Sequence, residues 1–136
     1  MADRSSLATD SAAVVSSRAT LPAKPSAAPD QPLGDPHLFE VGWEVCWQLG
    51  GIYTVLRTKA LAMTRRWGDR YALVGPYNPA TAHGEFEQRP AEGWLGDALE
   101  ELRGDGINVL HGLWLVNGRP RTLLVDHRAV MHRLPE

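Results

Sequence analysis

The chain has 136 residues, of which 43% are hydrophobic and 22% charged, and its formal net charge is −2. This near-neutral charge argues against a general nucleic-acid or membrane-surface binder, and no apolar stretch is long enough to predict a transmembrane helix. The single cysteine, Cys46, excludes an intrachain disulfide and favours a reducing, cytoplasmic location.

Residues 1–36 differ in composition from the rest of the chain. They contain eight Ala, six Ser and five Pro but no Trp, Tyr or Phe. A segment without large apolar side chains cannot bury enough surface to offset the entropy lost on ordering. The composition therefore predicts a disordered leader over residues 1–36 and a folded domain over residues 37–136.

The first predicted elements form a strand–helix–strand unit. Leu38–Val45 is rich in β-forming residues and predicts a buried strand. From Ile52 to Trp67 the apolar residues recur at helical spacing, and Gly68-Asp69 predicts the helix end. Tyr71–Val74 predicts a second strand. A strand–helix–strand connection of this length requires a parallel strand pair and a right-handed crossover.

The following residues predict a loop, a helix and a hairpin. The polar, proline-containing segment Asn78–Pro90 predicts a loop, and Leu95–Leu102 carries the apolar face of a second helix. Ile107–Val116 predicts a strand that turns at Asn117-Gly118 and returns as Thr122–Val125. Asn-Gly is typical of a type I′ hairpin turn, because both residues tolerate positive φ.

These elements predict an α/β fold: a partial, Rossmann-like parallel sheet with one hairpin. A doubly wound sheet has five or six strands, whereas only four are visible here. The residues from Arg128 onward predict the start of another helix. We therefore expect an incomplete Rossmann-like domain.

The connection between the first strand and the first helix is the strongest candidate site. Ligands of open parallel sheets bind beyond the carboxyl ends of the strands. Gly50 and Gly51 allow the backbone to approach a phosphate or sugar closely, and the free amides of a helix start favour an anion. The alternative is a tight turn without a ligand. The segment is neither a dinucleotide fingerprint nor a Walker A loop.

Several other side chains have both a functional and a structural interpretation. Glu40 and Glu44 are predicted on one strand and facing the same way, where structural or rim charges are more common than a catalytic pair. Asp126, at a strand's carboxyl end, is predicted to point toward the ligand edge. Trp43 and Trp47 suit stacking on sugar rings, and core packing is at least as favoured for Trp43.

The remaining charged and histidine residues favour no specific site. The cations of the first helix are most simply a solvated face, with contact to a regulatory anion or a sugar polymer as the alternative: Arg57, Lys59, Arg65 and Arg66. The histidines show no metal-ligand spacing with one another or with Cys46, so no metal site is predicted.

Several segments between Leu38 and Asp126 form a recognisable pattern in their order and spacing: Leu38–Val45, Gly50–Leu56, Thr58–Ala60, Trp67–Asp69 with Tyr71, Leu73–Tyr77, Gly112–Leu115 and Leu123–Asp126. In these segments the chain resembles the N-terminus of glycogen synthase, the fungal, animal and bacterial family that uses UDP-glucose. The resemblance covers roughly Leu38 to Asp126.

The resemblance implies a retaining glycosyltransferase built of two Rossmann-like domains facing a cleft. Such enzymes add glucose from UDP-glucose to the non-reducing end of an α-1,4-glucan such as glycogen, with no cofactor or metal ion. The implied partners are UDP-glucose and the glucan, without nucleic acid or membrane, and a homo-oligomer is compatible with the full-length enzyme. The resemblance also implies that the second domain holds most nucleotide contacts and the paired glutamates, so no catalytic residue is assigned here.

By the same resemblance, Gln48, Gly50 and Gly51 line the donor side of the cleft. The family commonly has lysine where this chain has Gln48, and glutamine donates a hydrogen bond without supplying charge. Two alternatives remain open. One is a non-catalytic sugar-nucleotide or glucan-binding module of the same descent, and the other is an α/β scaffold with no ligand.

Overall fold

The structure, a computed structural model, describes residues 34–132 of the chain. The leader predicted over residues 1–36 lies outside the described residues except for its last three positions. In chain order the elements are β1 (Leu38–Val41), α1 (Gly51–Trp67), a short 3₁₀ turn (Gly68–Arg70), β2 (Tyr71–Pro76), α2 (Pro79–Glu85), β3 (Phe86–Gln88), α3 (Gly93–Gly104), β4 (Asn108–Trp114), β5 (Arg121–Asp126) and α4 (Arg128–Met131).

Within residues 34–132 five strands form one sheet, in the order β1-β2-β5-β4-β3. The strands β1, β2 and β5 are parallel to one another. The strand β4 pairs antiparallel with β5, and β3 pairs antiparallel with β4. This mixed sheet with helices confirms the predicted α/β class. The three parallel strands end at the same side of the sheet, called the carboxyl edge below, with Val41, Pro76 and Asp126 as their last residues.

Helices cover both faces of the sheet, but unequally. The helix α1 packs its buried Tyr53 and Leu56 on the face that carries Leu73 and Leu124, called face A. On the opposite face, called face B, α3 packs its leucines against Leu123. Side chains of a strand alternate between the two faces of a sheet. The neighbouring residues Leu123 and Leu124 of β5 therefore pack on opposite faces.

The predicted loop over Asn78–Pro90 is wrong, because this segment forms α2 and β3. The Asn78 side chain accepts a hydrogen bond from the amide of Ala80 at 3.1 Å, and Pro79 occupies the first helical position. Both are helix-start signals. The three-residue β3 exists by pairing with β4. Its polar composition gave no strand signal, and it raises the strand number from the predicted four to five.

The first strand is shorter than predicted. It ends at Val41 instead of Val45, and the chain then turns through Gly42–Cys46, with Cys46 at a φ of 56°. The amide of Gly42 still donates to the carbonyl of Val74 at 2.9 Å. The turn places Val45 and Cys46 in the core instead of on the sheet.

The predicted type I′ turn at Asn117-Gly118 is wrong, although the antiparallel pairing of β4 with β5 is confirmed. Positive φ occurs at Gly118 (91°) and Arg119 (41°) but not at Asn117, whereas a type I′ turn needs it at both central residues. The connection is also longer than two residues, because β4 ends at Trp114 and β5 begins at Arg121.

Close contact between β2 and the turn after β1 makes Gly75 sensitive to substitution. A Cβ at Gly75 would lie 2.7 Å from the Cβ of Val45 and 2.9 Å from the carbonyl oxygen of Gly42. We expect Gly75→Ala to lower the free energy of unfolding by about 1–3 kcal/mol, because the backbone must shift to accommodate the methyl group. Urea denaturation measures this change.

The matched control is Gly84→Ala in α2, where no atom outside the neighbouring residues and the backbone of the same helix lies within 4 Å of the added Cβ. There we expect a gain of up to about 1 kcal/mol, because alanine favours a helix over glycine. Equal unfolding midpoints for the two variants would contradict the close contact at Gly75.

Candidate functional site

The carboxyl edge gathers segments that are distant in sequence. Gly42 follows β1, Tyr77 follows β2 and His127 follows β5, while α1 begins at Gly51 beside them. This is the side of a parallel sheet where ligands bind. The candidate site is therefore built from three strand ends and one helix start.

A buried carboxylate organises the start of α1. Glu44 is 8% exposed, and its Oε2 accepts hydrogen bonds from the amides of Gly50 at 2.7 Å, Tyr53 at 3.0 Å and Leu49 at 3.4 Å. The residue at the N-cap, Gly50, has no side chain for this role. Glu44 thus acts as the cap of the helix from six residues upstream.

The environment of Glu44 keeps it ionised. Burial raises the pKa of its carboxyl, but the three amide hydrogen bonds, from Gly50, Tyr53 and Leu49, lower it more, so the pKa lies below its usual value of 4.5. A negative charge at the positive end of a helix is also favourable. The carboxylate therefore stabilises the Gly50-Gly51 turn.

The prediction that Glu40 and Glu44 lie on one strand is wrong, whereas both carboxylates have structural partners, as the favoured interpretation expects. Glu40 is in β1 and accepts a hydrogen bond from the Tyr71 hydroxyl at 2.7 Å, while Lys59 of α1 forms an ion pair with its other oxygen. The strand ends before Glu44, so the two carboxylates serve different purposes. Lys59 accordingly departs from the predicted solvated face, whereas Arg57 remains exposed.

The predicted site residues Gln48, Gly50 and Gly51 are all exposed at this edge. The helix start was expected to offer free amides, but two of them are occupied, because Glu44 accepts hydrogen bonds from the amides of Gly50 and Tyr53. The amides of Gly51 and Ile52 belong to the first helical turn, where a helix offers them no carbonyl. We therefore take these two amides as the candidates for binding an anion, and ligand binding at the turn stays a prediction.

A cavity of about 250 Å³ opens beside this turn. It is lined by side chains from the turn and from the segments that follow β2 and β5: Trp47, Tyr77, Asn78, Pro79, His127 and Arg128. Of these, Asn78, His127 and Arg128 were not predicted as site residues. Their position two to four residues after a predicted strand is the signal that points to them, since the carboxyl ends of parallel strands meet at one edge.

Arg128 and Asp126 form one unit at the rim of this cavity. The Nε and Nη2 atoms of Arg128 each donate to a different oxygen of Asp126 at 2.9 Å, and the guanidinium carbon lies 5.6 Å from the centre of the Tyr77 ring. The hydrogen bonds from Arg128 lower the pKa of Asp126, and the carboxylate raises the pKa of Arg128. Asp126 thus orients a cation whose side chain is 59% exposed.

Two tryptophans extend the edge with aromatic surface. Trp43 is 60% exposed, so the core-packing alternative for this residue is wrong. Its ring lies 6.2 Å from that of Trp47 and 6.4 Å from that of His127, tilted in both cases. Exposed indole faces of this kind suit the apolar faces of sugar rings.

Residues 34–132 contain no candidate metal centre and no candidate membrane span. No three His, Cys, Asp or Glu side chains come together there as a metal-holding group. No helix of this part of the chain is both long enough and apolar enough to cross a membrane.

Comparison with known proteins identifies close relatives. Residues 40–136 match the family model described as Glycogen synthase. The glycogen [starch] synthase of Dictyostelium discoideum is 44% identical over 108 residues, which cover 78% of this chain and 12% of the relative. The Neurospora crassa protein of that name is 46% identical over 90 residues, and the human liver protein 40% over 90, each covering 65% of this chain and 13% of the relative. The chain thus spans about an eighth of the length of these relatives.

Proposed function

The chain belongs to the glycogen synthase family, and we propose that it forms the donor side of the active-site cleft of a glucosyltransferase. The reaction adds glucose from UDP-glucose to the non-reducing end of an α-1,4-glucan. The observation that carries this proposal is the carboxyl edge, where Trp47, from the turn that leads to α1, and Arg128, which follows β5, border one cavity.

The charge of a nucleotide-sugar donor fits these groups. Its diphosphate becomes the leaving group, and negative charge develops on it as the glycosidic bond breaks. The amides of Gly51 and Ile52 and the guanidinium of Arg128 are donors that stabilise such charge without a metal ion. Because Gln48 supplies no charge, we propose that Arg128 is the cation that compensates on this side of the cleft.

We assign no catalytic base or nucleophile to this chain. The groups that act on the reacting sugar then come from the second domain of a synthase, and we expect the 136-residue chain alone to transfer no glucose. The cytoplasmic location and a homo-oligomer of the full-length enzyme stay predictions.

Calorimetric titration with UDP-glucose tests the donor site in a whole synthase, because the second domain supplies most nucleotide contacts in this family. Residues 40–136 of this chain would replace the matching segment of the Dictyostelium relative. We expect Arg128→Gln to weaken binding about fivefold and Gln48→Lys to tighten it by a similar factor, because a charge-assisted hydrogen bond is lost or gained. Arg103→Gln is the matched control, since Arg103 is an exposed arginine of α3 that also pairs with a carboxylate, that of Glu100. Equal affinities of the Arg128 and Arg103 variants would contradict the assignment.

A non-catalytic glucan-binding module is the second candidate, and the exposed Trp43 favours it. Titration with maltooligosaccharides separates the two functions. Glucan binding that is lost in Trp43→Ala, together with no heat from UDP-glucose, would favour the module. No heat from either ligand would leave a scaffold without a ligand.

A further inference from the structure

The turn that leads into α1 carries one charge, and that charge is negative. Glu44 is the only charged residue between Val41 and Leu56. Its carboxylate is buried, and hydrogen bonds from three backbone amides hold it in the ionised form. An anion that binds at this helix start therefore meets a fixed negative charge beside the amides.

The contacts of Glu44 direct its charge toward the turn. All three amides donate to one oxygen, Oε2. The other oxygen, Oε1, binds no donor among residues 34–132, and a Cβ on Gly50 would lie 3.4 Å from it. The carboxylate thus lies against the backbone of Gly50 with one oxygen unpaired.

An anion on the next amides is close enough to feel this charge. Gly51 and Ile52, the candidates for binding an anion, directly follow Gly50 in the chain. Consecutive Cα atoms are about 3.8 Å apart, whereas the screening length at physiological ionic strength is about 8 Å. Burial of the carboxylate reduces the screening further. A phosphate at these amides is therefore repelled by Glu44.

No cation within the turn opposes this repulsion. Gln48 is neutral, and Arg128, which borders the cavity, donates to both oxygens of Asp126. The pair of Asp126 and Arg128 has no net charge, so its attraction for an anion is reduced. Among ligands of similar shape, the turn therefore favours the one with less negative charge.

The donor and the product of the proposed reaction differ in this respect. In UDP-glucose each phosphate carries a single negative charge, because both are esterified on two sides. Transfer of the glucose leaves UDP, whose terminal phosphate gains a second ionisable oxygen and carries about −1.5 to −2 charges at pH 7. UDP is therefore the more negative of the two ligands, and Glu44 repels it more strongly.

We propose that Glu44 is a specificity-determining residue of the donor site, whose charge favours binding of UDP-glucose over binding of UDP. The inference rests on the proposed function, because it requires UDP-glucose to bind at the carboxyl edge. The amides of Gly51 and Ile52 and the Arg128 guanidinium stabilise the charge that both ligands share. Glu44 acts on the additional charge that only the product carries, and so promotes release of the product.

Calorimetry on the chimera that contains residues 40–136 tests this role. The measured quantity is the Kd of UDP divided by the Kd of UDP-glucose. We expect Glu44→Gln to lower this ratio about fivefold, because removing the carboxylate charge relieves the more negative ligand most. UDP should bind more tightly even though the variant is less stable. A merely structural role weakens both ligands equally, and an unchanged ratio would overturn the proposal.

A second variant changes the charge of the turn without removing the cap of α1. In Gln48→Lys the Glu44 carboxylate remains, and the added cation opposes its charge. We expect the same ratio to fall about threefold, because a positive charge favours the more negative ligand. A ratio that does not fall would mean that the charge of the turn is not felt by the ligand, and the proposal would then be wrong.

Glu40→Gln is the matched control. Glu40 is also a carboxylate with structural partners, Tyr71 and Lys59, but it lies in β1 before the turn. We expect the ratio to stay within about twofold of the parent, since the charge of Glu40 is paired with a cation. An equal fall in the Glu40 and Glu44 variants would assign the effect to lost stability and overturn the proposal.

The same titrations distinguish failure of this inference from failure of the proposed function. A parent chimera that binds UDP-glucose and UDP, with a ratio that no variant changes, would overturn the role of Glu44 and keep the donor site. A parent chimera that binds neither ligand would overturn the proposed function and this inference together.

Discussion

Replacing Trp114 by alanine should lower the free energy of unfolding by about 3–5 kcal/mol, the range for removing a buried indole. Trp114 is 0% exposed, and its ring meets that of Tyr53 edge-on at 5.5 Å. Its Nε1 donates to Oε2 of Glu85 at 3.0 Å, and the Tyr53 hydroxyl donates to the same oxygen at 3.0 Å. Alanine therefore leaves a cavity and removes one donor from a shared carboxylate.

Small domains are stable by only about 5–15 kcal/mol, so Trp114→Ala approaches the threshold of unfolding. The control Trp114→Phe retains a ring but removes the N–H group, and we expect a smaller loss of about 1–3 kcal/mol. Urea denaturation followed by circular dichroism measures both variants. An alanine variant within about 1 kcal/mol of the parent would contradict the central place of Trp114 in the core.

Replacing Glu44 by glutamine should lower the melting temperature by about 4–8 °C at neutral pH. Glutamine retains an acceptor oxygen, but it removes the charge that the amides of Gly50 and Tyr53 stabilise. The start of α1 then loses its strongest acceptor. Thermal unfolding followed by circular dichroism checks this effect.

The same substitution has a pH signature. Because the pKa of Glu44 is lowered in the folded state, its carboxylate contributes stability above about pH 4.5, and that stability is lost as the pH falls through the lowered pKa. The difference in melting temperature between parent and Glu44→Gln should therefore shrink on acidification. Glu100→Gln, an exposed control, should show little difference at any pH. A Glu44→Gln difference that does not change with pH would argue against an ionised cap.

Elements with a strong periodic pattern were predicted well. The helix α1 was expected from Ile52 and begins at Gly51, and α3 includes the predicted Leu95–Leu102. Elements whose formation depends on a neighbour were missed. The segment 78–90 has a loop-like composition, yet β3 forms there because β4 presents an unpaired edge.

The candidate site likewise has one part that the sequence predicts and another that depends on distant contacts. The position of Gly50 and Gly51 could be predicted, because glycines between a strand and a helix define a turn at the ligand edge. Glu44 as the helix cap could not be predicted, since its role depends on the chain turning after Val41 instead of continuing as a strand. Arg128 enters the site only because β5 pairs with β2.

The sequence by itself determined the α/β class, the family and the position of the Gly50-Gly51 turn between the first strand and the first helix. These follow from local patterns of residue type and spacing, which do not depend on distant contacts. Only the tertiary structure decided which helix amides are already occupied and which cation borders the cavity. Those outcomes depend on strand order and on a single turn, and contacts between residues far apart in the chain determine both.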